Sequence, residues 1–213
     1  MRLDPMEDRQ ILYFVKYPEP GKVKTRLARH VGAGKAAELY RALVEENLST
    51  LAQVCEPFRL VVVFDPPEKE AEVREWLKPF QIRDFLPQNG AGLGERLDHA
   101  FQFAFRDRPA KSQPQRVMAL GSDTLRLTPE IIREGFDALE SSDCVIGPAK
   151  DGGYYLIGLS FEDGDIFRNI PWSTSMVYQT TIQYLQSEQL SYYRLPLLED
   201  LDEVQNLEGG VLK

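Results

Sequence analysis

The sequence contains little of what secreted, membrane-spanning or zinc-binding proteins need. Its 213 residues include only two cysteines and two histidines. Cys55 and Cys144 lie far apart, each within or beside an apolar segment, so we expect buried small side chains and not a disulfide or a metal site. His30 and His99 lack metal-ligand spacing. Two isolated cysteines fit a reducing compartment.

Long apolar runs and excess positive charge are also missing. No uninterrupted apolar run approaches the roughly 18 residues of a membrane span, and residues 1–10 show no apolar signal-peptide core. We therefore expect a cytoplasmic protein. The net charge of −8 argues against nucleic-acid binding. The length predicts one domain over residues 1–213. The oligomeric state, including a homo-oligomer, is not readable from the sequence.

What the chain does contain is an alternation of short apolar segments with helical patterns. The segments are rich in β-branched and aromatic residues and are bounded by Gly, Pro or Asp. Thr128 before Pro129 predicts one helix start, and Ser173 or Thr174 predicts another. The alternation predicts an α/β fold with a mainly parallel sheet, whose ligands bind at the carboxyl ends of the strands. The predicted strands are 10–15, 59–64, 81–86, 116–120, 144–146, 154–159 and 192–197, and the predicted helices are 33–54, 68–77, 93–105, 129–139 and 173–188.

The loop after the first strand concentrates positive charge in an acidic protein. Residues 16–26 read KYPEPGKVKTR and run into a helix. The prolines stiffen the turn, and basic side chains together with helix-start N–H groups can converge on an anion. This is not a P-loop, which would need a glycine where Lys16 stands. A solvated basic turn is the alternative. The candidate anion-binding residues are Lys16, Pro20, Gly21, Lys22, Lys24 and Arg26.

Asp123 directly follows the predicted strand 116–120. An Asp at the carboxyl end of a strand is well placed to hold a divalent cation, either Mg²⁺ or Mn²⁺, that would bridge diphosphate oxygens. The alternative is a helix-capping Asp, but Thr128 already serves as the cap of the next helix. We therefore predict a metal ligand at Asp123. Asp202, in the acidic segment 199–202, is a candidate second carboxylate, with an ordinary acidic turn as the alternative.

Two glycine-containing segments are further candidates. In residues 88–96 (QNGAGLGER) alternating glycines precede a helix. A loop that closes over a base or sugar is more plausible than a dinucleotide fingerprint, because the following acidic strand end is missing, and a plain loop with a helix start is the alternative. In residues 147–155 (GPAKDGGYY), paired glycines allow close approach of the backbone to a ligand. Asp151 could bind metal, hold an acceptor hydroxyl or act as a general base, and a hairpin turn is the alternative. Trp172 could face a substrate or belong to the core. The candidates are Gln88, Gly92, Gly94 and Arg96 in the first segment, Asp151, Gly152 and Gly153 in the second, and Trp172, Ser173 and Thr174 beyond them.

Taken together, these segments resemble a bacterial family of GT-A-like transferases, usually described as proposed glycosyltransferases or nucleotide-diphospho-sugar transferases. The resemblance extends from about residue 11 to about residue 205, and rests on the segments FVKYPEPGKVKTRLA, LGERLDHAF, LGSDTLRLTPE, GPAKDGGYYLIGL and PWSTSMVYQTT. This family is similar in fold to cytidylyl- and guanylyltransferases, including those that build molybdopterin and phospholactate cofactors. One departure is Leu125, where the family usually has a proline, and another is Arg126, where a polar or acidic residue is common.

The resemblance implies a Rossmann-like three-layer α/β/α fold, with the base and diphosphate over the carboxyl edge of the sheet. It also implies a metal carboxylate at Asp123, phosphate contacts from Lys16, Lys24 and Arg26, and an acidic tail that completes the site. By the same resemblance, Asp151, Gly152 and Gly153 would line the acceptor or sugar side. Catalytic roles would fall to Lys24 and Arg26, which assist the leaving group, and to Asp151, which activates an acceptor hydroxyl.

Three functional hypotheses follow. The preferred one is metal-dependent glycosyl transfer from a nucleotide sugar to a small acceptor. The second is nucleotidyl transfer from a nucleoside triphosphate with release of pyrophosphate, which a basic first loop would also serve. The third is nucleotide binding without catalysis.

Overall fold

A computed structural model describes residues 8–106 and 115–201 of the chain. Within these ranges the chain forms nine strands and six α-helices. The strands are β1 (Arg9–Lys16), β2 (Arg59–Asp65), β3 (Asp84–Pro87), β4 (Arg116–Gly121), β5 (Thr124–Leu125), β6 (Cys144–Pro148), β7 (Tyr154–Leu159), β8 (Tyr192–Arg194) and β9 (Glu199–Asp200). The helices are α1 (Thr25–Val31), α2 (Ala33–Leu51), α3 (Glu70–Leu77), α4 (Leu93–Arg106), α5 (Pro129–Ala138) and α6 (Val177–Ser187).

Seven of the strands form one sheet in the order β3-β2-β1-β4-β7-β6-β8. The pairs β1–β2, β1–β4, β2–β3 and β6–β8 are parallel, whereas β7 runs antiparallel to both of its neighbours. The carboxyl ends of all the sheet strands except β7 therefore lie at the same edge. We call this the carboxyl edge. The loops that leave it are the segments in which an α/β sheet carries its ligands.

Helices cover both faces of the sheet, as expected for three layers. On β1, Ile11, Tyr13 and Val15 pack with buried residues of α2, α3 and α5, whereas Leu12 packs with those of α4 and α6. Because β1 is buried on both faces, its sequence is a continuous apolar run and not an alternating one. The predicted α/β fold with a mainly parallel sheet is confirmed.

A third, small apolar cluster lies beside the carboxyl edge, and we call it the edge cluster. Leu27 of α1, Ala36 and Leu43 of α2, Leu125 of β5 and Leu201 form it. The strands β5 and β9 pair there as a separate two-stranded sheet. Leu125, which departs from the family pattern, is thus a buried residue, 1% exposed, in a paired strand. It ties the segment after Asp123 to the helix that follows the basic loop.

Most predicted elements are present, with shifted ends, and the predicted cap of α5 is confirmed because Thr128 Oγ1 accepts a hydrogen bond from Ile131 N at 3.4 Å. The predicted start of α6 is wrong. The helix begins at Val177, since Ser173 has a left-handed backbone (φ 64°) that cannot continue into a helix.

The prediction for the cysteines is half right. Cys144 is buried in β6, as expected, but Cys55 is exposed, because it lies in the loop between α2 and β2 and not in an element that packs on the core. Both cysteines are free thiols. Among the helices that the structure describes, none combines the length and the apolar character needed to cross a lipid bilayer.

We expect Leu125→Ala to destabilise the protein by about 2–4 kcal/mol, since it removes a fully buried leucine from the edge cluster. Leu197→Ala is the matched control. Leu197 is 48% exposed, so we expect its truncation to cost less than about 0.5 kcal/mol. Urea unfolding of both variants measures the difference, and equal losses would contradict the packing of Leu125.

Candidate functional site at the carboxyl edge

The sheet parts at its carboxyl edge between β1 and β4. The pairing of these strands ends at Phe14 and Gly121, whereas β1 continues beside β2 as far as the pair of Lys16 with Asp65. Beyond this point the chain after β1 and the chain after β4 diverge. The sheet extends through β2 and β3 on one side of β1 and through β4 on the other, so the parting is the switch point of the topology. A crevice at this point is the usual ligand site of such folds.

An ion pair crosses the crevice. Lys24 Nζ lies 2.8 Å from Asp123 Oδ2, and the side chains of Lys24 and Asp123 are 8% and 42% exposed. Lys24 directly precedes α1 and has a left-handed backbone, with φ 46°. For a residue with a side chain this conformation costs roughly 1 kcal/mol. The loop thus brings one predicted phosphate ligand against the predicted metal ligand.

The charge of Lys24 keeps Asp123 ionised. Burial acts to raise the pKa of the Asp123 carboxyl, but the charge and hydrogen bond of Lys24 outweigh it and hold this pKa below its usual value. Lys16 also acts to lower this pKa. Lys24 thus contacts the carboxylate directly, and Lys16, the last residue of β1, adds positive charge without a direct contact that the structure shows.

Helix α2 supports this crevice from beneath through Tyr40. The hydroxyl of Tyr40 accepts a hydrogen bond from Lys16 N at 2.9 Å and lies 2.8 Å from Ser122 Oγ. Burial is the main cause that raises the pKa of Tyr40 to about 12, so the phenol is neutral near pH 7. It joins the last residue of β1 to the residue before Asp123.

Asn47, also on α2, holds the backbone on both sides of Asp123. Its side-chain amide donates to Thr124 O at 3.0 Å and to Ser122 O at 3.4 Å. Sequence reasoning missed both Asn47 and Tyr40, because Tyr40 fits the apolar spacing of the helix. A signal did exist for Asn47, since it follows Leu43 and Val44 on the buried face of α2. A polar side chain in such a position needs a partner.

The remaining residues of the predicted basic loop lie on the surface. Lys22 and Arg26 are exposed, as are Pro20 and Gly21. Gly21 has φ 81°, which supports the predicted tight turn, and Lys22 N donates to Glu19 O at 3.0 Å within that turn. The structure thus leaves the tip of the loop in solvent and places Lys24, at the end of the loop, against Asp123, whereas Lys16, at its start, is exposed.

The predicted nucleotide-side residues Gln88 and Arg96 come together at the ends of β2 and β3. Arg96 Nη1 lies 3.1 Å from Gln88 Oε1 and 3.3 Å from Asp65 Oδ1, and Arg96 Nε donates to Gly90 O at 3.2 Å. The guanidinium group thus holds the glycine loop in place. Gly92 is exposed with open space around it, as a loop over a ligand requires.

Gly94 serves the packing of Trp172. A Cβ atom at Gly94 would lie 2.6 Å from the indole Nε1, so only glycine allows this approach. The indole also packs edge-on against Tyr154, with ring centroids 6.1 Å apart. Two predicted residues from distant parts of the sequence therefore meet, and half-buried Trp172 contributes to the core cluster beneath the edge.

Asp151 lies in a hairpin turn between β6 and β7, which was the alternative interpretation of this segment. Its Oδ1 accepts from Gly153 N at 2.8 Å, and the side chain is exposed at the carboxyl edge. Gly152 has φ 90°, and a Cβ there would lie 2.3 Å from Ser175 O. Close approach to another part of the chain therefore requires this glycine.

Ser173 and Thr174 belong to the turn that leads into α6. Thr174 Oγ1 donates to Pro171 O at 2.7 Å and accepts from Met176 N at 3.2 Å, so this hydroxyl closes the turn. Ser173 is exposed. The contact of Gly152 with Ser175 places this turn beside the Asp151 hairpin. The predicted acceptor-side residues thus lie close together.

The acidic segment near the C-terminus runs along the same edge. Leu201 N donates to Asp123 O at 2.9 Å, and Asp200 pairs with Thr124 in the small sheet. An ion pair between Glu199 and Lys150 joins the segment to the Asp151 hairpin. Asp202, the predicted second metal carboxylate, lies outside the described residues.

We expect Lys24→Met to raise the pKa of Asp123. The variant loses the charge that lowers this pKa and keeps the burial that raises it. The folded-state pKa lies below the unfolded value of about 3.9, so this carboxylate stabilises the fold above that value and the stabilisation is lost as pH falls through the folded-state pKa. Carbon-13 NMR titration of metal-free protein measures the change. Lys35→Met, on an exposed part of α2, should leave the Asp123 titration unaltered, and an unaltered titration in Lys24→Met would contradict the ion pair.

Solved structures share this architecture. A proposed nucleotide-diphospho-sugar transferase from Desulfovibrio desulfuricans G20 is 41% identical, with a TM-score of 0.82 over 92% of this chain and 83% of that one. The inositol-1-phosphate CTP transferase from T. maritima is 10% identical, with a TM-score of 0.62 over 96% of this chain and 93% of that one. A Mycobacterium tuberculosis H37Rv protein in complex with manganese is also 10% identical, with a TM-score of 0.54 over 95% and 98% of the two chains. The last two show the fold alone.

No curated protein matches the chain by sequence. The model of a bacterial protein family, DUF2064, described as an uncharacterized protein conserved in bacteria, matches residues 49–174. This match covers more than half of the chain and includes Asp123, the Asp151 hairpin and Trp172. The chain therefore belongs to the DUF2064 family of bacterial proteins.

Proposed function

We propose that this protein is a transferase that uses a nucleotide-activated donor, and that the donor is a nucleotide-diphospho-sugar. The Lys24–Asp123 pair across the crevice at the switch point carries the proposal. It holds an ammonium group and a carboxylate where this fold binds phosphate groups. The 41% identical protein from D. desulfuricans G20, described as a proposed nucleotide-diphospho-sugar transferase, supports the donor class. We also propose that the protein is cytoplasmic.

In this proposal, Lys16 and Lys24, at the start and the end of the first loop, bind the diphosphate. Lys16 and Lys24 contribute positive charge beside the parting of β1 and β4. A diphosphate carries more negative charge than a carboxylate, so it can attract the ammonium group of Lys24 in turn. These charges offset the negative charge that develops on the leaving diphosphate. Arg26, in the first turn of α1, adds a further positive side chain.

The residues around Asp123 fit a divalent cation. The carboxylate is ionised and partly exposed, and Mg²⁺ in such sites typically binds to one or two carboxylates together with substrate phosphate oxygens. Within residues 8–106 and 115–201, no group of three or more His, Cys, Asp or Glu side chains lies together as a metal site. Asp123 would therefore hold Mg²⁺ or Mn²⁺ with the diphosphate, and Asp202 is proposed as the second carboxylate. When bound, the cation would neutralise phosphate charge.

The acceptor binds, in this proposal, on the other half of the carboxyl edge. The Asp151 hairpin and the turn at Ser173 and Thr174 lie beside one another there. Asp151 accepts a hydrogen bond from Gly153 N through Oδ1, and its exposed carboxylate can accept the proton of an acceptor hydroxyl. This role makes Asp151 the general base, and Trp172, which packs edge-on against Tyr154, contributes an apolar surface to the acceptor half.

Nucleotidyl transfer is the second candidate. The basic loop directly after β1 favours it, because this chemistry consists mainly of positioning and of neutralising the charge of a triphosphate. The T. maritima CTP transferase, which shares the fold, is described by that kind of reaction. The two candidates differ in their products, since glycosyl transfer releases a nucleoside diphosphate and nucleotidyl transfer releases pyrophosphate.

We expect a thermal-shift screen with Mn²⁺ to rank nucleotide sugars above nucleoside triphosphates, since a ligand that binds only the native state raises the unfolding temperature. The highest-ranked donor is then incubated with candidate acceptors. Formation of nucleoside diphosphate that depends on the acceptor is the expected result. Release of pyrophosphate from a nucleoside triphosphate would contradict glycosyl transfer and favour nucleotidyl transfer.

We expect Asp123→Ala to weaken Mn²⁺-dependent binding of the highest-ranked nucleotide at least tenfold, because it removes the carboxylate at the crevice. Isothermal titration calorimetry with and without Mn²⁺ measures the loss. Asp137→Ala is the matched control, since the Asp137 side chain on α5 is 64% exposed and contacts Arg9. Unchanged affinity in Asp123→Ala would favour nucleotide binding without this metal site.

A further inference from the structure

The parting of β1 and β4 leaves a gap that α2 fills with polar groups. Tyr40 is 4% exposed and Ser122 is 5% exposed, so their hydroxyl groups meet beneath the surface of the crevice. The same phenol oxygen accepts Lys16 N–H, which points away from the β1–β2 ladder. One side chain of α2 therefore connects the two chain segments where they separate.

The second polar group is the amide of Asn47. This side chain is 2% exposed, and its amide nitrogen donates to the carbonyls of Ser122 and Thr124, the two residues that flank Asp123. A buried amide that has lost its partners in water depends on these contacts. The peptide groups on either side of Asp123 are thus held at a fixed distance from the axis of α2.

Tyr40 and Asn47 are seven residues apart, which is about two helical turns, so they lie on the same face of α2. Val44 and Leu48 on that face are fully buried against the sheet. Leu43, on an adjacent face, packs with Leu125 and Leu201 in the edge cluster. Packing fixes the position of α2, and the hydrogen bonds of Tyr40 and Asn47 fix the chain segments at the crevice relative to this helix.

We infer that Tyr40 and Asn47 are positioning residues that set where the Asp123 carboxylate lies relative to Lys24 and Lys16. Neither side chain needs to touch a ligand. Tyr40 acts through Ser122 and the backbone of Lys16, and Asn47 acts through the peptide groups around Asp123. The consequence for diphosphate binding rests on the proposed function, whereas the placement of the carboxylate does not.

Crystal structures of Tyr40→Phe and Asn47→Leu test the placement. We expect the Lys24 Nζ to Asp123 Oδ2 distance, 2.8 Å in the native protein, to lengthen beyond hydrogen-bonding range in at least one variant. The matched control is Tyr155→Phe. Tyr155 is also buried, 3% exposed, and its hydroxyl donates to a backbone carbonyl, Pro196 O, at 3.1 Å, and loss of this hydroxyl should leave the ion pair unchanged. An unchanged ion pair in both test variants would overturn the inference. If Asn47→Leu does not fold, Tyr40→Phe decides alone.

Binding of inorganic pyrophosphate with Mn²⁺, measured by calorimetry, tests the consequence. We expect about tenfold weaker binding in Tyr40→Phe and in Asn47→Leu, and no more than twofold in Tyr155→Phe. In the Asp123→Asn background the two test substitutions should cost nothing further, because they act through that carboxylate. Full additional losses in that background would show general destabilisation and would overturn the inference.

The two proposals fail in different ways. If the native protein binds neither pyrophosphate nor any nucleotide with Mn²⁺, the proposed function fails, and the crystal structures still decide whether Tyr40 and Asn47 place Asp123. If the native protein binds pyrophosphate and all three variants bind it equally well, the positioning role is wrong and the proposed function stands.

Discussion

The ion pair between Lys24 and Asp123 is the interaction on which the candidate site depends. Removing a lysine and a carboxylate from water is costly, and an ion pair of this kind is weak evidence for stability by itself. Here the Lys24 side chain is 8% exposed and its backbone is left-handed, and the buried amide of Asn47 holds the backbone on both sides of Asp123. The number of contacts that support this one ion pair indicates that the positions of its two charged groups are important. Both charges are held where the sheet parts, ready for a ligand that carries charge of its own.

Much of the fold could be predicted because its signals are local. Buried parallel strands such as β1, β2 and β4 are continuous apolar runs, and Thr128 with Pro129 marks the start of α5. Where backbone conformation decided the outcome, prediction failed. Ser173 has a hydroxyl suited to a helix cap, but its left-handed backbone belongs to a turn, and α6 starts at Val177. Cys55 resembled a buried residue because apolar residues stand near it in the sequence, whereas its side chain is exposed in the loop between α2 and β2.

The candidate site divides in the same way. The roles proposed for Asp123 and Lys24 follow from their positions after β4 and β1, which the sequence displays, and the structure adds that the two side chains meet. Tyr40 and Asn47 could not be assigned, since each acts on the backbone of a segment far along the chain. A polar residue on an apolar helix face shows that a partner exists without identifying it. Leu125 is similar. The sequence shows only that Leu125 departs from a family pattern, whereas its packing with Leu27 and Leu201 explains why an apolar residue stands at this position.

The two halves of the carboxyl edge are built differently, which bears on what each can recognise. On the nucleotide half, side chains from several elements converge, as Arg96 does on Gln88 and Asp65. On the acceptor half, the Asp151 hairpin and the turn before α6 are held largely by short-range bonds, such as those of Gly153 N to Asp151 Oδ1 and of Thr174 Oγ1 to Pro171 O, and by the contact of Gly152 with Ser175. The Asp151 and Ser173 side chains do not pack into the core and are exposed. A substitution of Ser173 can therefore alter the acceptor surface without disturbing the crevice, whereas a change of Tyr40 or Asn47 on α2 reaches the residues beside Asp123 through hydrogen bonds.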